Sequence, residues 1–409
     1  MSATSYPKEK IKILLLEGIH PVAVKLFNEQ GYKNIEMIDS SLNEKQVLEK
    51  IKGIHLLGIR SKTQLTKNIF LKVDKLIAAG CFCIGTNQVN MDTAIDTGIA
   101  VFNSPFSNTR SVAELVIAHC ICLLRRIPEK NIAAHNGTWL KQSNDCFEVR
   151  GKTLGIVGYG HIGSQVSVLA EGAGMKVIYY DVEPKLSLGN AAQVNSLDEL
   201  LKRSDIVSLH IPGSAATKNV LNESRISKMK KGAMLINLSR GDVVDLIALK
   251  KALLKKHLGG AAIDVFPNEP KSNKEKFSSP LQGLSNVILT PHIGGSTMEA
   301  QENIGVDVTN RLINFLESGS SAGSLSVPAL NLPVLKNAHR LLHIHKNVPG
   351  ILSEINRILS DMNVNILSQY LQTNNQIGYV VLDVDKKTSP VVLNELKKVK
   401  HAIKARSLY

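Results

Sequence analysis

The sequence predicts an α/β protein made of two successive parallel βα series and a smaller C-terminal βαββαβ segment. Three observations carry this. From residue 11 onward short apolar runs alternate with amphipathic stretches, the pattern of buried parallel strands connected by helices. A glycine-rich turn, "GIVGYGHIG", follows an apolar strand at the head of the second series. A Ser/Gly/Pro-rich stretch, "SGSSAGSLSVPALNLP" at 318–333, has the composition of a linker and sets off the last segment.

The first series reads "IKILLL", "HPVAVKLFNEQG", "IEMID", "NEKQVLEKI", "HLLGI" and "LIAAGCFCIG", strand alternating with helix. "SVAELVIAHCICLLRRIPEKNIAAHNG" (111–137) reads as one long helical segment. The second series runs from "KTLGIVGYGHIG" through "MKVIYYD", "DIVSLHIP", "AMLINLSRG" and "GGAAIDVF" to "NVILTPHIGG", a doubly wound nucleotide-type domain. One long helix is expected over 296–318. Beyond the linker the pattern predicts strand 340–347, helix 349–361, strand 364–373, strand 377–385, helix 389–400 and strand 401–408, the ferredoxin-like order.

A chain of 409 residues exceeds one ordinary core, so two or three domains are expected. The 44% hydrophobic and 21% charged fractions, with mean hydropathy of +0.01, exclude a disordered chain. The N-terminal apolar run is interrupted by Lys12 and closed by Glu17, too short for a secretory signal, and "VIAHCICLL" (116–124) falls well short of the roughly twenty residues a membrane span needs. No membrane partner and a cytoplasmic location are therefore expected. Five cysteines, an odd number in apolar C-x-C contexts, read as reduced core thiols. The net charge of +14 suits either nucleic acid or an anionic substrate. Lysines scattered at helical spacing, as in "KMKK" and "KKALLKKH", and a single Trp argue against a nucleic-acid partner. His339, His343 and His345 have strand-like spacing, but histidines alone are weak evidence for a metal, and none is expected.

"GIVGYGHIG" supplies G-x-G-x-x-G at Gly158, Gly160 and Gly163. The first glycine permits the tight turn, the second lets backbone approach a pyrophosphate, and the third permits close helix-to-strand packing, with the helix N-terminus facing the phosphates. The next strand ends in Asp181, 18 residues after Gly163, where a carboxylate can bind both ribose hydroxyls. Asp181 and Glu183 would repel a 2′-phosphate and no Arg follows at once, so the expected cofactor is NAD.

Three later strand ends carry polar residues: Arg240 in "INLSRGDVVD", Asp264 and Glu269 in "AAIDVFPNEP", and His292 in "TPHIGG". Singly, these read as a surface ion-pair partner, a loop carboxylate and a turn residue. Jointly, beside a dinucleotide fingerprint, they suit alcohol–carbonyl redox chemistry next to a carboxylate. His292 takes the hydroxyl proton, Glu269 orients the imidazole and favours its protonated form, and Arg240 holds the substrate carboxylate.

At these residues the chain resembles the D-isomer-specific 2-hydroxyacid dehydrogenases. "LGIVGYGHIG", "LINLSRGDVVD", "GGAAIDVFPNEP" and "LTPHIGGST" are similar to that family's cofactor and catalytic blocks, and "NSPFSNTRSVAELVI" (103–117) to its interdomain segment. The resemblance implies that Arg240, Glu269 and His292 are catalytic. It places His161, Ile162, Asp181, Leu238, Ser239, Arg240, Asp264, His292, Ile293, Gly294 and Gly295 against NAD, with Thr86 and Pro212 as further contacts. It also implies a split topology that linear reading misses: a flavodoxin-like substrate domain of residues 1–107 and 296–330, a Rossmann-type NAD domain of 108–295 inserted in it, an active site in the cleft, and an ACT regulatory domain at 338–409.

By the same resemblance the expected substrate is D-3-phosphoglycerate, oxidised reversibly to 3-phosphohydroxypyruvate at the opening of serine synthesis, with 2-oxoglutarate reduction as a side activity. Arg60 and Lys62, in "GIRSKTQLT", are the expected phosphate cations; Lys62 stands where the closest pattern has Arg and lacks its planar fork. Asn108 matches another substrate-side position, and Trp139 and Lys141 a segment that reaches a neighbouring subunit, in keeping with a homotetramer. The tail's "H-x-N-x-P-G-I-L" is similar to an ACT effector site in which His345, Asn347 and Asn365 contact L-serine, with Leu342 and Ile344 facing away from His343, His345 and Asn347. The alternative function is a non-catalytic NAD-sensing binding protein of the same fold.

Overall fold

In the first sheet the apolar runs are buried on both faces, as parallel strands covered by helices must be, except in the edge strand Asn34–Ile38, whose residues are exposed or half-buried. β1 (Lys12–Leu16), β2 (Asn34–Ile38), β3 (Leu56–Ile59), β4 (Ala78–Cys81) and β5 (Ala100–Asn103) lie in the order β2-β1-β3-β4-β5, the flavodoxin-like arrangement. Leu14 pairs with Leu57, Leu57 with Ala79 and Ala79 with Val101. This row crosses four strands and builds one face of the core. The computed structural model describes residues 7–270, 274–333, 339–385 and 389–408. It divides into two compact units, 1–107 with 301–409, and 108–300.

The return of the chain to the first unit has a physical cause at Gly80. A Cβ there would lie 2.7 Å from Val308 and 2.9 Å from Leu312, so the helix Met298–Glu317 packs directly onto β4 and only hydrogen fits between them. Ser326 Oγ accepts from Val101 N at 2.8 Å and donates to Ile99 O at 2.7 Å, tying part of the expected linker to β5. The strand β5 itself, "AVFN", is absent from the expected elements. It has four residues, too few for its apolar run to stand apart from the interdomain block that follows it.

In the second unit the strands are β6 (Thr153–Val157), β7 (Lys176–Tyr180), β8 (Ala192–Gln193), β9 (Ile206–Leu209), β10 (Ala233–Asn237), β11 (Leu258–Ile263) and β12 (Val287–Leu289). Their order is β12-β11-β10-β9-β6-β7-β8, all parallel. The sequence-order reversal falls between β6 and β9, where doubly wound sheets bind ligands outside the strand C-termini. The expected single helix over 111–137 is two, Thr109–Arg125 and Ile127–His135, broken at Arg126 with φ +53. Pro128 has no N–H to give Leu124 O, and Phe147 N fills that place at 2.9 Å.

The C-terminal strands β13 (His339–Lys346), β14 (Ile366–Thr373), β15 (Ile377–Val384) and β16 (Ala402–Leu408) form an antiparallel sheet in the order β14-β15-β13-β16. Residue 338, the expected domain boundary, lies outside the described residues. On the helix-covered face Ile351, Ile355 and Leu359 pack with Leu341, Val380 and Leu382. The other face rests on the first unit's helix end. Leu342, Ile344 and Tyr379 share a core with Phe315, Arg340 Nη1 donates to Ser318 O at 2.8 Å, and Tyr379 Oη donates to Gly319 O at 2.7 Å. Arg406 donates to Phe315 O. These donors meet carbonyls at and just beyond the C-terminus of the helix Met298–Glu317, where backbone acceptors lack helical partners and cations are favoured.

Candidate active site

Backbone contacts define the glycine-rich turn. Gly158 has φ +91 and a Cβ there would sit 2.5 Å from His210 O; its N–H donates to Tyr180 O at 2.9 Å. A Cβ on Gly163 would fall on Gly158 O, whereas one on Gly160 would meet nothing within 4 Å. Two glycines are thus required by packing, and Gly160 leaves open space at the start of the helix His161–Gly172, where free N–H groups favour a phosphate. His161 is exposed, and Ile162 packs with the apolar core below the helix.

Asp181 ends β7 with both oxygens oriented by backbone. Oδ2 accepts from Tyr159 N at 2.7 Å and Oδ1 from Glu183 N at 3.1 Å. Each oxygen keeps a second acceptor position for a hydroxyl. Tyr159 is in turn clamped, its ring stacked on Tyr179 with centroids 3.8 Å apart and its Oη 3.0 Å from Ser167 Oγ. These residues fit a dinucleotide: a phosphate-sized opening at a helix N-terminus and a prealigned carboxylate at the next strand end.

Asp264, fully buried at the end of β11, organises the turn that carries His292. Its Oδ1 accepts from Thr290 Oγ1 at 2.6 Å and Ile293 N at 2.8 Å, and its Oδ2 from Gly294 N at 2.9 Å. Its backbone O accepts from His292 N at 2.8 Å. Four bonds from one residue thus hold His292 at φ +54, a region non-glycine residues rarely adopt and one that recurs at functional sites. Thr290 was not singled out in the sequence, although "LTPHIGG" contains it.

His292 Nδ1 lies 2.8 Å from Glu269 Oε2. The Glu269 bond raises the His292 pKa above its ordinary value, outweighing the effect of burial. Burial pushes the Glu269 carboxyl up, but bonds from His292 and from Phe266 N, the latter 3.0 Å, leave it below its ordinary value. Arg240 contributes to the charge environment of both. Its approach depends on Gly241, where a Cβ would fall on the Phe266–Pro267 backbone. Asn237, buried at the end of β10, donates to Arg240 O at 2.9 Å and accepts from Ser239 N at 3.1 Å. Leu238 and Ser239 are buried beside it, and a Cβ on Gly294 would lie 3.7 Å from Leu238.

Asn108 meets Gly295 so closely that any side chain at 295 would displace it. Its Oδ1 is buried without a hydrogen-bond partner, the state of an acceptor that calls for a donor. Pro212 O accepts from Thr217 Oγ1 at 2.7 Å, fixing the turn after β9. Lys141 and Trp139 are exposed.

Thr86, Arg60 and Lys62 belong to the first unit. Thr86 O accepts from Val89 N at 3.0 Å; Lys62 is exposed and Arg60 half-buried. In the C-terminal sheet His339, His343 and His345 are all buried. His343 Nε2 is 3.1 Å from Leu396 O and its Nδ1 is 3.3 Å from His345 Nδ1, and a Cβ on Gly378 would collide with the His345 ring. Asn347 and Asn365 are exposed, with Asn347 Nδ2 donating to Asn374 O at 2.7 Å. Among the described residues no group of three His, Cys, Asp or Glu side chains could hold a metal, and no helix is long and apolar enough to cross a membrane.

Comparison with known proteins agrees with this geometry. Residues 117–294 match the D-isomer specific 2-hydroxyacid dehydrogenase NAD binding domain, and residues 341–404 an AHAS small subunit-like ACT domain. The chain is 52% identical to D-3-phosphoglycerate dehydrogenase of Escherichia coli K12 over 411 aligned positions, covering 100% of both chains. It is 48% identical to D-3-phosphoglycerate dehydrogenase 1 of Saccharomyces cerevisiae, covering 98% of this chain and 88% of that one. Among solved structures, D-lactate dehydrogenase from Aquifex aeolicus, complexed with NAD and lactic acid, matches with a TM-score of 0.67 and 28% identity, over 78% of this chain and 100% of that one.

Proposed function

Because the chain belongs to the D-isomer specific 2-hydroxyacid dehydrogenase family, we propose that it oxidises D-3-phosphoglycerate reversibly to 3-phosphohydroxypyruvate with NAD, opening L-serine synthesis in the cytoplasm as a homotetramer. The observation that carries this reading is the 2.8 Å His292–Glu269 pair, in the unit that also holds the glycine-rich turn and Asp181.

The turn at Gly158–Gly163 and Asp181 would hold NAD, which would supply the acceptor for the hydride leaving the alcohol carbon. His292, fixed at Nδ1 by Glu269, takes the hydroxyl proton on its other ring nitrogen. Glu269 stabilises the imidazolium so formed. Arg240 pairs with the substrate carboxylate and, in the reverse direction, polarises the carbonyl. Arg60 and Lys62 bind the phosphate, and Asn108 and Lys141 complete the substrate contacts. Two cations of this kind also accept a second carboxylate, so 2-oxoglutarate is a secondary substrate. L-serine acts as feedback effector through His345, Asn347 and Asn365, with the exposed asparagines offering the donors and acceptors a zwitterion needs.

Purified protein mixed with NADH and 3-phosphohydroxypyruvate tests this directly. NADH consumption that depends on the phosphorylated oxoacid is expected; no turnover with it, alongside good turnover of an unphosphorylated 2-oxoacid, would overturn the substrate assignment.

A further inference from the structure

The loop that carries Arg60 and Lys62 is held by a side chain no motif points to. Glu17, directly after β1, is a buried carboxylate, 8% exposed, on a backbone with φ +66. That conformation is uncommon for any residue with a Cβ, and here it turns the side chain onto the neighbouring strand end. Glu17 Oε1 accepts from Thr63 N at 2.7 Å and Oε2 from Lys62 N at 3.0 Å. Each oxygen therefore takes one of two consecutive loop amides. On the other side of the loop, buried Gln88 donates through Nε2 to Arg60 O at 2.7 Å. Thr63 is fully buried and its Oγ1 accepts from Leu42 N at 3.3 Å. Backbone at 60, 62 and 63 is thus fixed, while the Lys62 side chain stays exposed.

The chemistry of this clamp needs a carboxylate of this length. A glutamine would turn an NH2 group toward one of two N–H donors, and an aspartate would be a methylene short. Among the described residues Glu17 forms no ion pair with Arg60 or Lys62; the Arg60 guanidinium reaches the Glu17 backbone O instead, at 3.5 Å.

We propose that Glu17 is a positioning residue for the anion-binding loop Arg60–Thr63: it sets affinity for the distal phosphate of the substrate without taking part in hydride or proton transfer. This rests on the reading of Arg60 and Lys62 as the phosphate cations. Preorganised cations bind an anion without first ordering the loop, and loss of that order appears in binding.

Full-length Glu17→Gln, with Gln88→Ala as a second loop variant, is compared with Arg60→Ala and Lys62→Ala. The substrates are 3-phosphohydroxypyruvate and pyruvate, which has no distal anion. Expected for Glu17→Gln is a KM for the phosphorylated substrate raised about tenfold or more, the scale of a lost charge-assisted hydrogen bond, with kcat, NADH affinity and kcat/KM for pyruvate each within about twofold. An unchanged KM in Glu17→Gln while Arg60→Ala or Lys62→Ala raises it overturns the positioning role and leaves the cation assignment standing. An unchanged KM in both cation variants removes the assignment itself. Equal losses on both substrates would make Glu17 a support of the fold only. If Glu17→Gln does not fold, Gln88→Ala must show the same selective rise in KM, and its absence counts against the clamp.

Discussion

Glu269 Oε2 and His292 Nδ1, 2.8 Å apart, each favour the other's charged form. His292 is raised from its ordinary 6.5 chiefly by this bond, and Glu269, despite burial, is lowered from its ordinary 4.5. The histidine's contribution to stability is complete below about 6.5 and is lost as pH climbs through the raised value. The carboxylate's contribution is present above about 4.5 and is lost as pH falls through the lowered value. The pair therefore favours the fold between those limits, and by less than about 1 kcal/mol because it is half exposed.

In the proposed mechanism the same shift sets the pH dependence of the chemistry. Carbonyl reduction needs the imidazolium and declines as pH rises through the His292 value; alcohol oxidation needs neutral His292 and rises over the same range. In Glu269→Gln both limbs move to lower pH and kcat falls about tenfold to a hundredfold. Profiles of kcat/KM in both directions check this, and limbs that stay in place would detach Glu269 from the proton-transfer group.

His292→Ala removes the proposed proton acceptor while leaving Asp264 its bonds to Thr290, Ile293 and Gly294. Turnover is expected to fall by about two to four orders of magnitude, with NADH binding within about threefold. Unchanged turnover in a steady-state assay would take His292 out of the reaction.

In the proposed site Asp181 discriminates between cofactors by charge. In Asp181→Ser the repulsion of a 2′-phosphate is lost along with the ribose bonds, so kcat/KM should fall about tenfold with NAD and rise with NADP. Parallel kinetics with the two cofactors read the outcome; an unchanged preference would place the selectivity elsewhere.

Arg340 and Asp383 form a bidentate pair at 2.7 and 2.9 Å with 6% and 1% of their side chains exposed. Arg340→Ala leaves Asp383 charged and buried, and the expected loss is about 3–5 kcal/mol. Replacing both with apolar residues of similar size should recover most of it. Urea unfolding of the single and double variants measures the difference, and equal losses in both would show that the docking bond to Ser318 O, not the charge pair, dominates.

Asn347 is exposed and bonds Asn374 O within the C-terminal sheet. Asn347→Ala should leave turnover without serine within about twofold and abolish inhibition by serine. A serine titration that superimposes on that of the unaltered protein would refute the effector placement.

The parallel strands were legible because both their faces are buried, which writes "IKILLL" or "GGAAID" as unbroken apolar runs. The glycine-rich turn and Asp181 were legible because their spacing reflects backbone approach. The break at Arg126 was signalled by Pro128 but hidden by continuing helical periodicity. Alternation in β13 did separate Leu342 and Ile344 from His343 and His345. It could not show that both faces are covered, one by the first unit's helix end and the other by the C-terminal segment's own helices. Contacts made across long stretches of chain, Gly80 with Val308 and Glu17 with Lys62 and Thr63, leave no periodic trace. Glu17 was visible only as the charge that ended an apolar run.

The most direct test is the ratio of kcat/KM for 3-phosphohydroxypyruvate to that for pyruvate, measured with NADH on the unaltered full-length protein. A ratio of about a hundred or more is expected, the value of a phosphate held by two cations. A ratio near one, or one favouring pyruvate, would contradict the assignment of this chain to D-3-phosphoglycerate.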